Sequence, residues 1–304
     1  MISFRYHIVS IVAVFLALAL GVVMGTTVVK PGVVEQLRRQ AEGELAKTKA
    51  LQDQVNQLQA QLRIWQVFGD GAQTILLNGQ LSGKQVVIVT VEGVDPAEID
   101  GIRRALEQGG ATVVSLIVVT SRMALADAAA REDLAAILGA SPNDSTPVLA
   151  ARAAQSLGTR LSSAPATGDP DVLQQLVTGR FLALRGGSDP LQMVGTGDQG
   201  VVFLAGGAKA PAVDLKGFLA PVVSAVVAAN RPVVAAETTD SSYEFVQLFR
   251  VDATLDNHMV TVDDADTVGG RVAVVLGLRD LIQTPGHGGD YGVKGGASGP
   301  IPVP

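Results

Sequence analysis

From Ile8 to Val29 the chain runs for 22 residues without a charge, "IVSIVAVFLALALGVVMGTTVV". At about 1.5 Å per residue, a helix of that length crosses a hydrocarbon core of roughly 30 Å. A stretch that is apolar all round is also unlike the one-sided helix that lies on a soluble core. The run therefore predicts a membrane helix within a first segment, residues 1–32. Ala17-Leu18-Ala19 offers a small-x-small site, so a cleaved signal is the competing reading. The apolar run continues ten residues beyond that site, which a removed signal does not need, and the expectation is a retained anchor. Gly21 and Gly25 have the G-x-x-x-G spacing of a membrane helix contact.

Arg5 precedes the run and Lys30, Arg38 and Arg39 follow it, so the Lys and Arg balance sets no orientation. A seven-residue tail before a single apolar segment has the form of a signal-anchor. It predicts a single pass with the N-terminus cytoplasmic and the bulk of the chain outside the cytoplasm.

After Pro31 and Gly32 a seven-residue period begins. It runs through Val34, Leu37, Ala41, Glu44, Thr48, Leu51, Val55, Leu58, Leu62 and Trp65, with Glu, Lys, Arg and Gln between these positions. The pattern predicts a coiled-coil helix over 33–68, paired with itself or with another protein's helix. Glu44 and Thr48 interrupt the seam, and a single amphipathic helix lying on the globular domain is the alternative. The partner-binding seam is Val34, Leu37, Ala41, Leu51, Val55, Leu58, Leu62 and Trp65. "VFGDGAQ" at 67–73 then punctuates the chain with glycines, and residues 69–80 read as a linker.

Residues 81–283 read as a doubly wound, Rossmann-like parallel-sheet domain, giving an α/β fold class overall. Gln85–Val91 is an apolar β-branched run, Asp95 and Pro96 start a helix, Gly109 and Gly110 end it, and Thr112–Val119 is again β-branched. This is a βαβ unit. Further strands are expected at Val201–Ala205, Val233–Glu237 and Arg271–Leu276, with helices near Ala124–Leu138, Pro170–Gly179 and Val213–Ala229. The Gly- and Pro-rich residues 284–304 read as an extended tail.

Chemistry-bearing motifs are sparse. "GTGDQG" at 195–200 has the glycine spacing of a dinucleotide loop but precedes a strand, where a turn explains it better. "FLAGGAKAP" places Gly206 and Gly207 at the end of a predicted strand, where open sheets bind ligands, and this loop is the candidate cofactor-binding position. Asp263, Asp264 and Asp266 lack calcium-loop spacing and suit turn chemistry. There is no G-x-S-x-G elbow and no H-E-x-x-H, and the histidines are His7, His258 and His287. No catalytic residue is assigned, and the chain is read as non-enzymatic. The net charge of -6 and 4% aromatic content argue against a nucleic-acid partner.

Four stretches, in order along nearly the whole chain, carry a resemblance: "MISFRYHIVSIVAVFLALALGVVMG", "LSGKQVVIV", "TVDDADTVGGRVAVVLGLRDLI" and "GGDYGVKGGASGPIP". Together they resemble the actinobacterial copper transport family typified by mycobacterial copper transport protein B. The resemblance implies an anchored actinobacterial envelope protein with a role in copper export or homeostasis. It also implies a part in daughter-cell separation, in which a coiled coil regulates a peptidoglycan hydrolase system with a membrane partner encoded nearby.

Copper(I) favours sulfur and copper(II) imidazole. With no cysteine, three histidines and five methionines, the candidate metal ligands reduce to His258, Met259 and His287. One apolar helix encloses no polar path. The residues therefore favour an anchored scaffold acting through its coiled coil and α/β domain, for which the resemblance implies cell-wall remodelling, with copper handling as the alternative and a small-ligand enzyme at Gly206 as a third reading.

Overall fold

A computed structural model describes residues 4–27, 31–165, 168, 170–186, 189–207, 210–252, 254–255 and 257–302. Side chains are described from Tyr6 to Gly25 in the first helix and from Glu35 onward in the second, so Val34 lies outside them. The chain divides into two compact units, Met1–Trp65 and Gln66–Pro304.

In the first unit, α1 (Phe4–Thr27) holds the uncharged run. Among the described residues it is the one helix long and apolar enough to cross a membrane. Helix α2 (Pro31–Leu77) begins in this unit and is continuous into the second. The sequence reading ended this helix at 68, but it continues through Gly69 and Gly71. At Gly69 the missing side chain lets Val268 approach, with an added Cβ only 3.3 Å from it. Gln73 then bonds to Gln108 at 2.7 Å, and Leu77 is fully buried. Packing of the last helical turns outweighs the intrinsic cost of glycine, about 1 kcal/mol per residue.

The second unit is built on β1 (Gln85–Val91), α3 (Pro96–Gln108), β2 (Thr112–Val119), α4 (Ala128–Leu138), α5 (Thr146–Ser162), α6 (Val172–Thr178), β3 (Leu182–Arg185) and β4 (Gln199–Leu204). It continues with α7 (Ala220–Ala228), β5 (Val233–Ala236), α8 (Gln247–Arg250), β6 (Val260–Val262), α9 (Val268–Gln283) and β7 (Gly289–Tyr291). Local signals explain the first unit of this series. Asp95 accepts from the Ala97 amide at 2.8 Å, Pro96 opens α3, and Gly109 closes it.

The seven strands lie in the order β3-β2-β1-β4-β5-β6-β7, all parallel except the β2–β3 pair. Every residue of β4 and β5 is buried, so both faces of the sheet's centre are covered. Helices α3 and α9 pack on each other, and α5 packs with α4, α6 and α7. This is the doubly wound α/β domain expected from the sequence, and its order reverses between β1 and β4.

Two expectations are corrected. Arg271–Leu276 is not a strand but the middle of α9. Thr267 caps this helix, its hydroxyl accepting from the Gly270 amide at 2.9 Å. The helix is buried on nearly every side, from Val272 through Leu276 and on to Leu281, so its sequence has no polar face to betray the helical period. Residues 284–304 are not merely a tail, because β7 lies among them and extends the sheet beside β6. Sequence reading also passed over α5, the antiparallel β3 and the short β6.

Candidate functional site

Three places hold the residues singled out by sequence. The first is α2. Leu37, Ala41, Leu51, Val55, Leu58, Leu62 and Trp65 all lie on the helix and are exposed, Leu51 at 62%. Gly21 and Gly25 are likewise open on α1, with no atom within 4 Å of an added Cβ. Around the seam, Arg38 pairs with Glu42 at 3.1 Å, Arg39 with Glu35 at 3.3 Å, and Lys47 with Glu44 at 3.0 Å. These exposed pairs support the helix only by a few tenths of a kcal/mol each.

The second place is the crevice at the switch point, between the carboxyl ends of β1 and β4. It has a volume of 510 Å³ and is lined by Gly93, Val94, Asp95, Pro96, Glu98, Gly206, Gly207, Thr238, Asp240 and Asp266. Gly206 sits at φ 121°, where a Cβ would meet Ser241 at 2.9 Å, so the turn requires glycine. Residues 208–209 of the "FLAGGAKAP" loop lie outside the described residues.

The crevice walls are acidic. Burial raises the Glu98 carboxyl above its ordinary value, with Asp266, Asp95 and Asp240 adding to the shift and Arg271 opposing it. The start of α3, where a dinucleotide pyrophosphate would dock, is already taken by the Asp95 carboxylate and a proline without an amide. Such walls repel phosphate and favour cationic groups. Glu92 nearby is engaged structurally: its carboxylate accepts from the Ser121 amide at 2.6 Å, which lowers its pKa.

The third place is the amino end of β6 and β7. The Gly288 amide donates to the Asn257 carbonyl at 2.8 Å, and the Gly289 amide donates to the Met259 carbonyl at 3.2 Å. Pairing of the two strands thus brings His258 and His287 to the same end of the sheet, both exposed. Met259 is buried in the core. Among the described residues no three His, Cys, Asp or Glu side chains are grouped to hold a metal ion. The copper ligand set considered from sequence is therefore two surface imidazoles beside a core methionine.

Sequence reasoning missed the polar network that fixes the tail. Buried Asp263 accepts from Arg250 at 2.7 Å and from the amides of Val293 at 2.7 Å and Lys294 at 3.0 Å. Lys294 donates to Glu237 at 2.8 Å and to the carbonyls of Thr238 and Ser241. Gly292, at φ 126°, leaves room for the Asp263 carboxylate, which an added Cβ would strike. The "TVDDAD" and "YGVKGG" stretches are thus two halves of one buried ion network, and Asp263 is structural rather than part of a turn.

These features define a class: an α/β protein with an N-terminal apolar helix, a long second helix with an exposed heptad seam, and a C-terminal segment locked onto the sheet by buried charges. The family model described as copper transport outer membrane protein, MctB, matches residues 1–302. The chain belongs to that family. It is 30% identical over 319 residues to proteins named Copper transporter MctB from Mycobacterium tuberculosis and Mycobacterium bovis, covering 98% of each chain. The Mycobacterium leprae protein of the same name is 28% identical over 337 residues, with both chains covered in full. The family is named for copper transport and not for an enzymatic reaction.

Proposed function

We propose that the protein serves copper homeostasis at the cell envelope, anchored by α1 and working through protein contacts of α2. The observation that carries the copper assignment is the family match over residues 1–302. Two physical features support the mode of action. A single apolar helix cannot enclose a polar path, and an open seven-stranded sheet is not the closed barrel a pore requires. With no grouped ligand set among the described residues, copper is cargo handled by an assembly to which this chain contributes an anchor and a docking helix. In this reading the N-terminus is cytoplasmic and the α/β unit extracytoplasmic.

The exposed seam of α2 favours a second reading, a scaffold in cell-wall remodelling that engages a membrane partner and a peptidoglycan hydrolase system. One experiment separates the two. Total copper per cell is measured by elemental mass spectrometry under mild copper stress in a deletion strain, its parent, and strains restored with the wild-type gene or with Leu51→Pro. Copper handling predicts an excess in the deletion strain that the wild-type gene reverses and Leu51→Pro does not. Equal copper in all strains, together with unseparated daughter cells in the deletion strain, would sink the copper reading and leave the scaffold.

A further inference from the structure

We propose that α2 pairs with α2 of a second copy of this chain, as a parallel, in-register, two-stranded coiled coil over Leu37 to Leu62. The inference rests on reading the α2 seam as a docking face and names its occupant.

Register gives the first argument. With Leu37 at position d, the a positions are Ala41, Thr48, Val55 and Leu62, and the d positions are Leu37, Glu44, Leu51 and Leu58. Two of the four a residues, Thr48 and Val55, are β-branched and three of the four d residues are leucine, a combination that leans towards two parallel strands over three or four.

Charge gives the second. In a parallel pair each g residue faces the e residue five positions on in the other helix. Here those pairs are Gln40 with Leu45, Lys47 with Gln52, and Gln54 with Gln59. None sets like charges together. Flanks of one sign would repel a second copy, and these do not. Glu44 is the charged intruder at d, and Lys47 at the adjoining g position already holds it at 3.0 Å. Two facing Glu44 carboxylates would thus come with two ammonium groups.

Polarity gives the third. Three residues separate α1 from α2, so copies anchored in one membrane present α2 with the same direction. Gly21 and Gly25, open on α1, extend the same pairing into the apolar segment. The seam also has an end. Gly69, the next a position after Leu62, is taken by Val268, and Gln73 by Gln108, so the helix beyond Trp65 serves its own α/β unit.

The absence of cysteine from the chain makes the test direct. The full-length protein, purified in excess detergent without copper, carries one of three substitutions: Val55→Cys at a, Leu58→Cys at d, or Asp53→Cys at f. Under mild oxidation, disulfide-linked dimer should form at 55 and 58 roughly tenfold more than at 53, because only seam positions approach within disulfide reach. In the Asp53→Cys chain, whose seam is intact, spin labels should give a single narrow distance. Equal linkage at all three positions, or no dipolar coupling between the labels, overturns the proposal. Copper plays no part in the measurement, so its failure would leave the copper reading standing, and its success would not establish it.

Discussion

Helices α2 and α9 both carry long apolar series, and their surroundings are opposite. In α9 the buried residues run through Val272, Ala273, Val274, Val275, Leu276 and Leu278, and two glycines let neighbours close in. In α2 an apolar stripe runs among Gln, Glu and Lys, with Leu45 and Ile64 outside it, and Leu51 and Leu58 are 62% and 53% exposed. A helix that fills a slot between a sheet and other helices needs no polar face. A helix open to water along its length needs one. The contrast predicts that damage to one region leaves the other intact.

The largest expected effect is on the α/β side. Asp263→Ala leaves the Arg250 guanidinium, 3% exposed, with only the more distant Asp290, at 3.6 Å, as counter-charge, and a broken buried pair costs about 3–5 kcal/mol. The α/β unit should melt far earlier by circular dichroism, while Leu58→Cys linkage in the same chain persists. Loss of linkage along with the domain would dissolve the distinction between the two regions. Next comes Leu51→Pro, which costs about 3 kcal/mol within a helix. It should abolish linkage at residue 58 and leave melting of the α/β unit unchanged.

A pair of glycines sharpens the comparison further, since the same substitution should act with opposite sign. A Cβ at Gly277 would lie 2.7 Å from Val260, so Gly277→Ala should destabilise the α/β unit by about 1–3 kcal/mol through overpacking. Gly43 on α2 has no atom within 4 Å of an added Cβ. There Gly43→Ala should stabilise the helix by roughly 0.5–1 kcal/mol, through reduced backbone freedom in the unfolded chain. Urea titrations of the two variants against wild type give both signs directly.

The same contrast explains what the sequence made legible. Helix α3 and its flanking strands carry their own caps, breakers and β-branched runs, so β1 and β2 fall at the expected bounds. Helix α2 is legible as a helix because its apolar residues keep a helical period among polar ones. Helix α9 was not, because its burial erased the polar face that would have marked it as helical. Strand β7 was not either: Gly289-Asp290-Tyr291 has no strand composition, and partners far off in sequence, Asp263 and Glu237, hold the residues that follow it in place. The crevice acids stand in the first turn of α3 and on loops after β1, β5 and β6, and only the sheet order brings them together. Gly206 was singled out because a glycine at a strand's carboxyl end carries a local signal, Asp266 read only as turn chemistry, and Glu98 carries no local signal.

The smallest effect expected is a pH dependence at the start of α9. Asp264 is buried, its Oδ1 has no hydrogen-bond partner among the described residues, and its Oδ2 accepts from the Thr267 hydroxyl at 3.0 Å. Burial raises its pKa above the ordinary 3.8, the Thr267 hydrogen bond opposes the shift, and Asp263 and Asp266 add to it. A carboxyl whose folded-state pKa is raised binds its proton better when folded. Its stabilising contribution is therefore complete below the unfolded value and is lost as pH rises through the folded one. Asparagine keeps the acceptor for Thr267 and cannot ionise. Asp264→Asn should thus gain on wild type as pH rises from the acid side of 3.8 to neutrality. Urea unfolding of both chains across that range gives the difference. A wild type that gains on the variant with rising pH would mean the folded α/β unit holds ionised Asp264 with a favourable partner, and the start of α9 would then be a charged cap rather than part of the closed interior that sets α9 apart from α2.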